Sequence, residues 1–166
     1  MAVTIDGAGP LAGATTLNGL TIPTTGFGKV LQVVTAVYST TTSTTSTSFV
    51  TTGLSGSITP SSATNKILVI TIGAAAQNGT SSEVFFTIFR GTVAGTNLGS
   101  ATVGFMALYN SSSDISAGVS MATLDSPNTT SSVTYTLGMK VDSATSTGYA
   151  NRANSPTILI LMEIAA

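Results

Sequence analysis

Apolar and polar residues alternate in short stretches from Lys29 onward, and clusters of turn-forming residues separate these stretches. The alternation is clearest in residues 133–141 and is repeated in residues 115–123. A period of two places successive side chains on opposite faces of a strand, so each stretch predicts a half-buried β-strand. No stretch keeps an apolar period of 3.6 residues long enough to predict a helix. The predicted strands are 30–38, 47–52, 66–75, 83–90, 101–109, 115–123, 133–141 and 157–164, with a further short piece at 57–59.

Eight strands of this spacing indicate an all-β fold, an antiparallel β-sandwich that is most plausibly jelly-roll-like. Residues 1–28 differ from the rest, because glycine and proline interrupt them at short intervals and leave only short strand-like pieces. This composition is typical of an extended segment. We therefore predict two parts: an extended N-terminal arm over residues 1–28, and a sandwich domain over residues 29–166.

The arm has two interpretations, a floppy tail or a segment that docks on a surface. Spaced apolar residues and an almost complete lack of charge favour docking, since such side chains gain free energy when they leave water. We therefore predict that the arm is an anchor. Its candidate anchoring residues are Val3, Ile5, Leu11, Leu17, Leu20 and Ile22.

The dipeptide Asn78-Gly79 stands between two apolar runs and predicts a hairpin with a two-residue type I′ turn. That hairpin would place Ile72 opposite Phe85 and Leu68 opposite Phe89. Both of its faces would be apolar, so both need cover. One face would belong to the sandwich core and the other, with no helix predicted, to an interface with a neighbouring subunit. The candidates for this oligomer interface are the four residues of the second face: Val69, Thr71, Phe86 and Ile88.

Composition adds a reason to expect assembly. Only 7% of the 166 residues are charged, the net charge is −1, and serine and threonine make up about a third of the chain. The usual charged fraction is about 25%, and surface charge is what normally keeps a free monomer soluble. A chain that is 42% hydrophobic, with a mean hydropathy of +0.45, therefore predicts a homo-oligomer. A net charge near zero also predicts no attraction to nucleic acid or to an anionic membrane.

The residues that most enzymes need are missing. The chain has no cysteine and no histidine, which excludes a thiol nucleophile, a thiolate zinc site and the commonest general base. It also lacks a serine-hydrolase elbow, a P-loop lysine and a dinucleotide fingerprint. Its longest apolar runs, 67–76 and 157–166, are about half the ~20 residues of a membrane helix, and no secretory signal is visible at the N-terminus. We predict a soluble protein that is not an enzyme and uses no cofactor.

Three acids leave alternatives open. A sandwich could bring Asp114 near Asp125 or Asp142, as in a carboxylate pair about 5–10 Å apart that cleaves a sugar. A Ca²⁺ site built from Asp114 or Asp125 with loop carbonyls is a second alternative. Solvated loop acids are the simplest interpretation. The Ser/Thr run 39–48 predicts a loop between strands, with a receptor-contacting loop as the alternative, and Tyr149 is the aromatic residue expected to be exposed.

Four segments of the chain resemble a recurrent module of tailed-phage virion proteins. They are GKVLQVV at 28–34, FVTTGLS at 49–55, ITPSSATNKILV at 58–69 and TILILMEI at 157–164. The resemblance extends over residues 28–75 and 155–166, and over the middle by pattern only. This family, often from marine and cyanobacterial phages, includes fibre-like and head-surface proteins. It implies an all-β, often trimeric and exposed structural module, and it has no catalytic motif to carry over.

The expected function is therefore structural: a decoration or head-fibre protein bound to the capsid. The arm would hold the major capsid protein or another virion protein, and the sandwich, as part of a homotrimer, would point outward. The protein would be made in the host cytoplasm and end on the capsid or tail surface. The alternative is a tail-fibre or receptor-binding tip that contacts a host surface glycan, and a depolymerase is a distant third. A chain of 166 residues leaves no room for a long fibre shaft, which favours the decoration protein.

Overall fold

The computed structural model describes residues 28–111 and 114–166, together with the backbone of residues 16–17 and 20–21. Most of the predicted arm, including Val3, Ile5, Leu11 and Ile22, lies outside the described residues. Two short strands, β1 (Thr16–Leu17) and β2 (Leu20–Thr21), pair antiparallel with each other.

Strands are the main secondary structure in the rest of the described chain. Three predicted strands, 30–38, 133–141 and 157–164, are confirmed with the same bounds. The only helical turn among the described residues is a short 3-10 turn, Arg152–Asn154. The strands are β3 (Val30–Tyr38), β4 (Thr42–Thr44), β5 (Val50–Ile58), β6 (Lys66–Asn78), β7 (Ser82–Arg90), β8 (Thr96–Asn97), β9 (Met106–Asn110), β10 (Ile115–Asp125), β11 (Val133–Val141), β12 (Thr147–Ala150) and β13 (Thr157–Ile164).

Two antiparallel sheets form the sandwich. In the first, which we call sheet I, β6 pairs with β10 along one edge; along its other edge it pairs first with β13 and then with β12. Strand β3 lies outside β13, and β4 lies outside β12. In the second, sheet II, β11 lies between β5 and β7, and β8 and β9 pair with different parts of β7.

The pairing is nested in the way that defines a jelly roll. Strand β7 pairs with β9, β6 with β10, β5 with β11 and β3 with β13, as if one long hairpin had been rolled into two layers. Such double-sheet rolls have eight strands, and these eight supply both sheets. The predicted all-β, jelly-roll-like sandwich is confirmed for the described residues.

Alternation along the strands places one face of each sheet in a shared core. Sheet I contributes Ile67, Val69, Leu159 and Leu161, and each is at most 1% exposed. Sheet II faces them with Phe86, Ile88, Leu137 and Met139, each at most 2% exposed. The core is therefore closed within one chain.

The predicted hairpin at Asn78-Gly79 is wrong. Both edges of β6 are occupied by β10, β13 and β12, so no edge is left for β7. The chain instead crosses from sheet I to sheet II through Gly79 (φ 138°) and Ser81 (φ 52°), and the side chain of Asn110 donates a hydrogen bond to the Gly79 carbonyl at 2.8 Å. The turn signal is real, but the turn joins the two layers.

The four interface candidates derived from that hairpin are also placed wrongly. Val69, Thr71, Phe86 and Ile88 are between 0% and 1% exposed, because the opposite sheet of the same chain covers them. Residues this deeply buried cannot contact a neighbouring subunit.

The Ser/Thr run 39–48 is more ordered than the predicted loop. It contains β4, which pairs with β12, and the hydroxyl of Thr41 donates to the Asn151 carbonyl at 2.8 Å. The predicted strands 47–52 and 57–59 form the single strand β5. The predicted strand 101–109 is shorter, because the chain turns at Gly104 (φ 67°) before β9 begins.

Candidate interaction surface

The outer face of sheet I carries aliphatic side chains across four adjacent strands. The register aligns them in three rows, since Ile72, Ile70 and Leu68 of β6 lie beside β13 on one side and β10 on the other. We call this surface the aliphatic face. From β3 through β13 and β6 to β10, its rows are Val37–Ile158–Ile72–Ser120, Thr35–Ile160–Ile70–Ala122 and Val33–Met162–Leu68–Leu124.

Much of this face is bare in the single chain. Val37 is 63% exposed, Val33 53%, Leu124 52% and Ile72 50%. Of the eight large hydrophobic side chains exposed in the described residues, six belong to β3, β6 and β10 of sheet I. Scattered exposed apolar residues are ordinary, whereas a contiguous patch of them marks an interaction surface.

The aliphatic face contains no charged residue in its three rows. Lys66 lies at one end of it, opposite Ile164 of β13. Toward the other end of β10, Arg152 makes an ion pair of 2.6 Å with Asp114. Charge therefore borders the face and does not interrupt it.

The sequence carried the signal for this surface. Strands β6 and β13 contain continuous apolar runs, which are typical of strands covered on both faces. Sequence reasoning recognised two apolar faces in residues 66–90 but assigned the core-facing set to the interface. The face directed away from the core is the complementary set, Leu68, Ile70 and Ile72.

Two phenylalanine side chains on the outer face of sheet II are covered by their own chain. Phe85 and Phe89 are only 6% and 4% exposed although they point away from the main core. Phe49 packs edge-on against Phe89 with 5.7 Å between ring centroids, and the ammonium of Lys140 lies 4.8 Å from the Phe49 centroid. Gly138 makes room for this cluster, because a Cβ there would lie 2.7 Å from Phe89.

A buried carboxylate closes one end of the sandwich. Glu163, 1% exposed, accepts hydrogen bonds from the amide of Asn65 (2.6 Å), the amide of Gln32 (2.7 Å) and both the backbone N–H (2.6 Å) and hydroxyl (2.8 Å) of Ser61. Burial acts to raise the pKa of Glu163, but these hydrogen bonds outweigh it and lower the pKa to about 2. We call this set of hydrogen bonds the Glu163 clasp, because it holds the loop between β5 and β6 against β13. Sequence reasoning missed it, although its position continues the inward register of Leu159 and Leu161.

Asp125 is held in a second buried cluster. Its carboxylate accepts a hydrogen bond from the hydroxyl of Tyr135 at 2.7 Å and pairs with the guanidinium of Arg90 at 3.1 Å. Burial and this carboxylate together raise the pKa of Tyr135. Both carboxylate oxygens of Asp125 therefore accept hydrogen bonds from side chains of the protein.

Of the two carboxylate pairs considered from the sequence, the pair of Asp114 with Asp125 does not form. Asp114 and Asp125 flank opposite ends of β10, about 35 Å apart at roughly 3.3 Å per residue. Within the described residues no group of three or more acids could hold a metal ion, and the two Ca²⁺ candidates, Asp114 and Asp125, are each paired with an arginine.

Tyr149 lies on β12 and is half-buried. The guanidinium of Arg152 stands 5.3 Å from its ring centroid, so one face of the ring is covered.

Over the part of the chain that the structure describes, no helix is long and apolar enough to cross a membrane.

Comparison with known proteins adds no argument about the fold or the function of this chain. No protein-family model matches the sequence, and no curated protein matches it. Solved structures of infectious bursal disease virus are weakly similar: the Gx strain (13% identity, TM-score 0.39, 81% of this chain and 37% of that chain), the Gt strain (11%, 0.37, 82% and 39%) and the VP2 subviral particle (11%, 0.37, 81% and 38%). This chain thus spans less than two fifths of each of those chains. Similarity this weak carries no argument about function.

Proposed function

We propose that this protein is a non-enzymatic structural protein of a phage virion, a decoration or head-fibre protein on the capsid surface. The observation that carries the proposal is the uncharged aliphatic face on a closed jelly roll, a surface that suits permanent assembly. The resemblance of residues 28–75 and 155–166 to phage virion modules supports the same assignment. Only 7% of the residues are charged, which is consistent with a protein that is part of a larger assembly.

In this proposal the arm, residues 1–28, attaches the protein to the major capsid protein or another virion protein. Burial of Val3, Ile5, Leu17 and Ile22 would contribute about 25 cal/mol per Å² of apolar surface before ordering costs. With Asp6 and Lys29 as the only charges in or beside the arm, attachment should depend little on salt. Virions washed in about 1 M salt, where the Debye length is about 3 Å, should keep the protein.

A tail-fibre or receptor-binding tip that contacts a host glycan is the second candidate. Tyr149 and the Asp114–Arg152 ion pair favour it, since they place an aromatic ring and exposed polar groups together at one end of the sandwich. The ring face covered by Arg152 counts against stacking of a sugar there.

Copy number separates the two candidates. In purified virions, a decoration protein follows the symmetry of the capsid lattice and is present in many copies, whereas a tail tip is present in few. Deletion of residues 1–28 tests the anchor: the remaining sandwich should fold but no longer bind particles. Normal binding of the truncated protein would contradict the arm's role, and absence of the protein from purified virions would contradict the proposed function.

A further inference from the structure

We propose that a surface on the outer side of sheet II, built from Tyr109, Glu83 and Asp142, binds an arginine side chain of another protein. We call these three residues the acid–tyrosine row. The inference goes beyond the proposed function, in which attachment depends on the arm. It is tested on the isolated protein, without any virion.

The three residues lie side by side on neighbouring strands. Tyr109 of β9 is directly opposite Glu83 of β7. On the other side of β7, the backbone N–H of Asp142 donates to the Glu83 carbonyl at 3.1 Å, which extends the pairing of β11 with β7 by one residue. Neighbouring strands are about 4.8 Å apart, so the row is about 10 Å long. Because directly opposite residues point to the same face of a sheet, the ring and the two carboxylates are neighbours.

The row faces solvent. Val84, the next residue along β7, is fully buried in the core, so Glu83 points away from the core. Tyr109 is 54% exposed, Asp142 is exposed and Glu83 is half-buried. A partner can therefore reach the ring and both carboxylates.

Glu83 and Asp142 differ from the other described acids, because no cation of the chain pairs with them. Asp114 and Asp125 form ion pairs with arginines, and Glu163 is buried among hydrogen-bond donors. All five lysines and arginines lie in the part of the chain that the structure describes, and none forms an ion pair with Glu83 or Asp142. Like charges directly opposite each other destabilise a sheet. A cation bound beside the two carboxylates would remove this repulsion.

The chain itself shows which cation suits a carboxylate beside a tyrosine ring. At one end of the sandwich, the guanidinium of Arg152 pairs with Asp114 at 2.6 Å and stands 5.3 Å from the ring centroid of Tyr149. A guanidinium is planar, so it can stack on an aromatic ring while it donates hydrogen bonds to a carboxylate. Tyr109 and Glu83 place the same two groups on neighbouring strands, with a further carboxylate beside them. The row therefore matches an arginine side chain.

The arginine must come from a protein of different sequence. Both arginines of this chain are engaged with its own acids, since Arg90 pairs with Asp125 at 3.1 Å and Arg152 pairs with Asp114. A second copy of the chain would bring the same two engaged arginines. Ion pairs at an exposed surface are screened by salt, so this contact should weaken in high salt, unlike the attachment proposed for the arm.

Titration of the full-length protein with a short peptide tests the row directly. The probe is acetyl-Gly-Arg-Gly-amide, and the matched control is the uncharged acetyl-Gly-Gln-Gly-amide. In NMR spectra of isotope-labelled protein at low salt, the arginine peptide should shift the backbone amide signals of Glu83, Tyr109 and Asp142 in a saturable way. The glutamine peptide should not. Raising the salt to about 0.5 M should weaken binding at least about threefold.

Substitutions identify the groups that bind. E83Q/D142N should weaken binding of the arginine peptide about tenfold, and Y109A should weaken it about threefold, in line with the modest strength of exposed ion pairs and cation–π contacts. D114N removes one carboxylate elsewhere on the surface and is the control, so its affinity should stay within about twofold of wild type. Circular dichroism spectra check that each variant is folded.

Three results would overturn the proposal. The first is the absence of saturable shifts when the arginine peptide is added to the wild-type protein. The second is an equal response to the glutamine peptide, which would show that charge plays no part. The third is saturation of the row by Ca²⁺ or by methyl glucoside but not by the arginine peptide, which would assign the surface to a metal ion or a sugar. The wild-type titration decides even if a variant fails to fold, and it does not depend on whether the protein is found in virions.

Discussion

Both outer faces of this sandwich carry large apolar side chains, but those of sheet I are open to solvent whereas Phe85 and Phe89 of sheet II are covered. On sheet II, Phe89 is 4% exposed because Phe49 and Gly138 belong to a cluster that the chain closes over it. On sheet I, Val37 and Ile72 are 63% and 50% exposed. An apolar residue that points away from the core therefore predicts a partner only when the chain's own connections do not cover it.

The covering of sheet II comes from its connections. Val93, in the segment between β7 and β8, approaches Gly138, and a Cβ added to that glycine would lie 3.5 Å from the valine. Phe49 precedes β5 and reaches the same cluster. These contacts close a second, smaller core on the outer side of sheet II.

The largest contrast should come from truncating one apolar residue on each face. F89A removes a buried ring and should lower the free energy of unfolding by about 3–5 kcal/mol. I72A, in protein dilute enough to be monomeric, should change it by less than about 0.5 kcal/mol, since surface substitutions have small effects. Urea unfolding of both variants measures the difference, and equal losses would show that the two faces are alike in the single chain.

Strand β13 allows a sharper comparison, because Glu163 lies on its inner side while Met162 lies on the aliphatic face. E163Q replaces the carboxylate that accepts hydrogen bonds from Gln32, Ser61 and Asn65 with a neutral amide. It should lower the free energy of unfolding by about 2 kcal/mol or more. E83Q, on the half-exposed end of β7, is the matched control and should change little.

Glu163 also predicts a pH dependence. Its pKa falls from 4.5 to about 2 on folding, so its stabilising contribution is complete above pH 4.5 and is lost as pH falls from there toward 2. Urea unfolding across this range should show wild type losing more stability than E163Q. Parallel curves for the two proteins would contradict the role assigned to the carboxylate.

Alanine substitutions at two glycines compare the space available for a side chain on the two outer faces. G138A should cost about 1–3 kcal/mol, because the new Cβ would lie 2.7 Å from Phe89 in a packed cluster. G118A, on the outer side of β10, meets nothing nearer than a carbonyl at 4.0 Å and should be neutral or stabilising by about 0.5 kcal/mol, since alanine loses less entropy in a strand. Thermal midpoints of the two variants should move in opposite directions or differ clearly, and equal destabilisation would contradict the open geometry of sheet I.

The smallest expected effect concerns Lys140. K140M keeps an apolar side chain but removes the ammonium above Phe49 and Phe85, at 4.8 and 5.4 Å from their centroids. We expect a loss of about 0.5–1 kcal/mol. K66M, beside the aliphatic face, is the control, and urea midpoints that shift equally for both lysines would rule out a specific contribution from the rings.

The strands with strong alternation were predictable. The bounds of β11 follow from its period of two, and those of β3 and β13 follow from apolar runs between clusters of turn-forming residues. The number of strands was enough to indicate a jelly roll. Strands β4, β8 and β12 are only two to four residues long, too short for a period to show.

The features that could not be predicted from the sequence are determined by contacts between residues that are far apart along the chain. The Asn78-Gly79 signal predicts a turn but contains no information about whether the edges of β6 are already taken. Which of two apolar faces points inward is likewise decided by the opposite sheet. The Glu163 clasp joins residues separated by 98 to 131 positions, so no local pattern marks its partners.

The position of β13 has a consequence for the synthesis of the protein. Among the described strands it comes last in sequence, yet it lies between β3 and β6 in the middle of sheet I. Until Ile164 has left the ribosome, β3 has no strand to pair with and one edge of β6 is unpaired along its first half. Folds whose pairings join distant segments form slowly, and exposed strand edges favour aggregation while they wait. We therefore expect the nascent chain to depend on chaperones until its final strand is inserted, and slow synthesis at low temperature to raise the yield of folded protein.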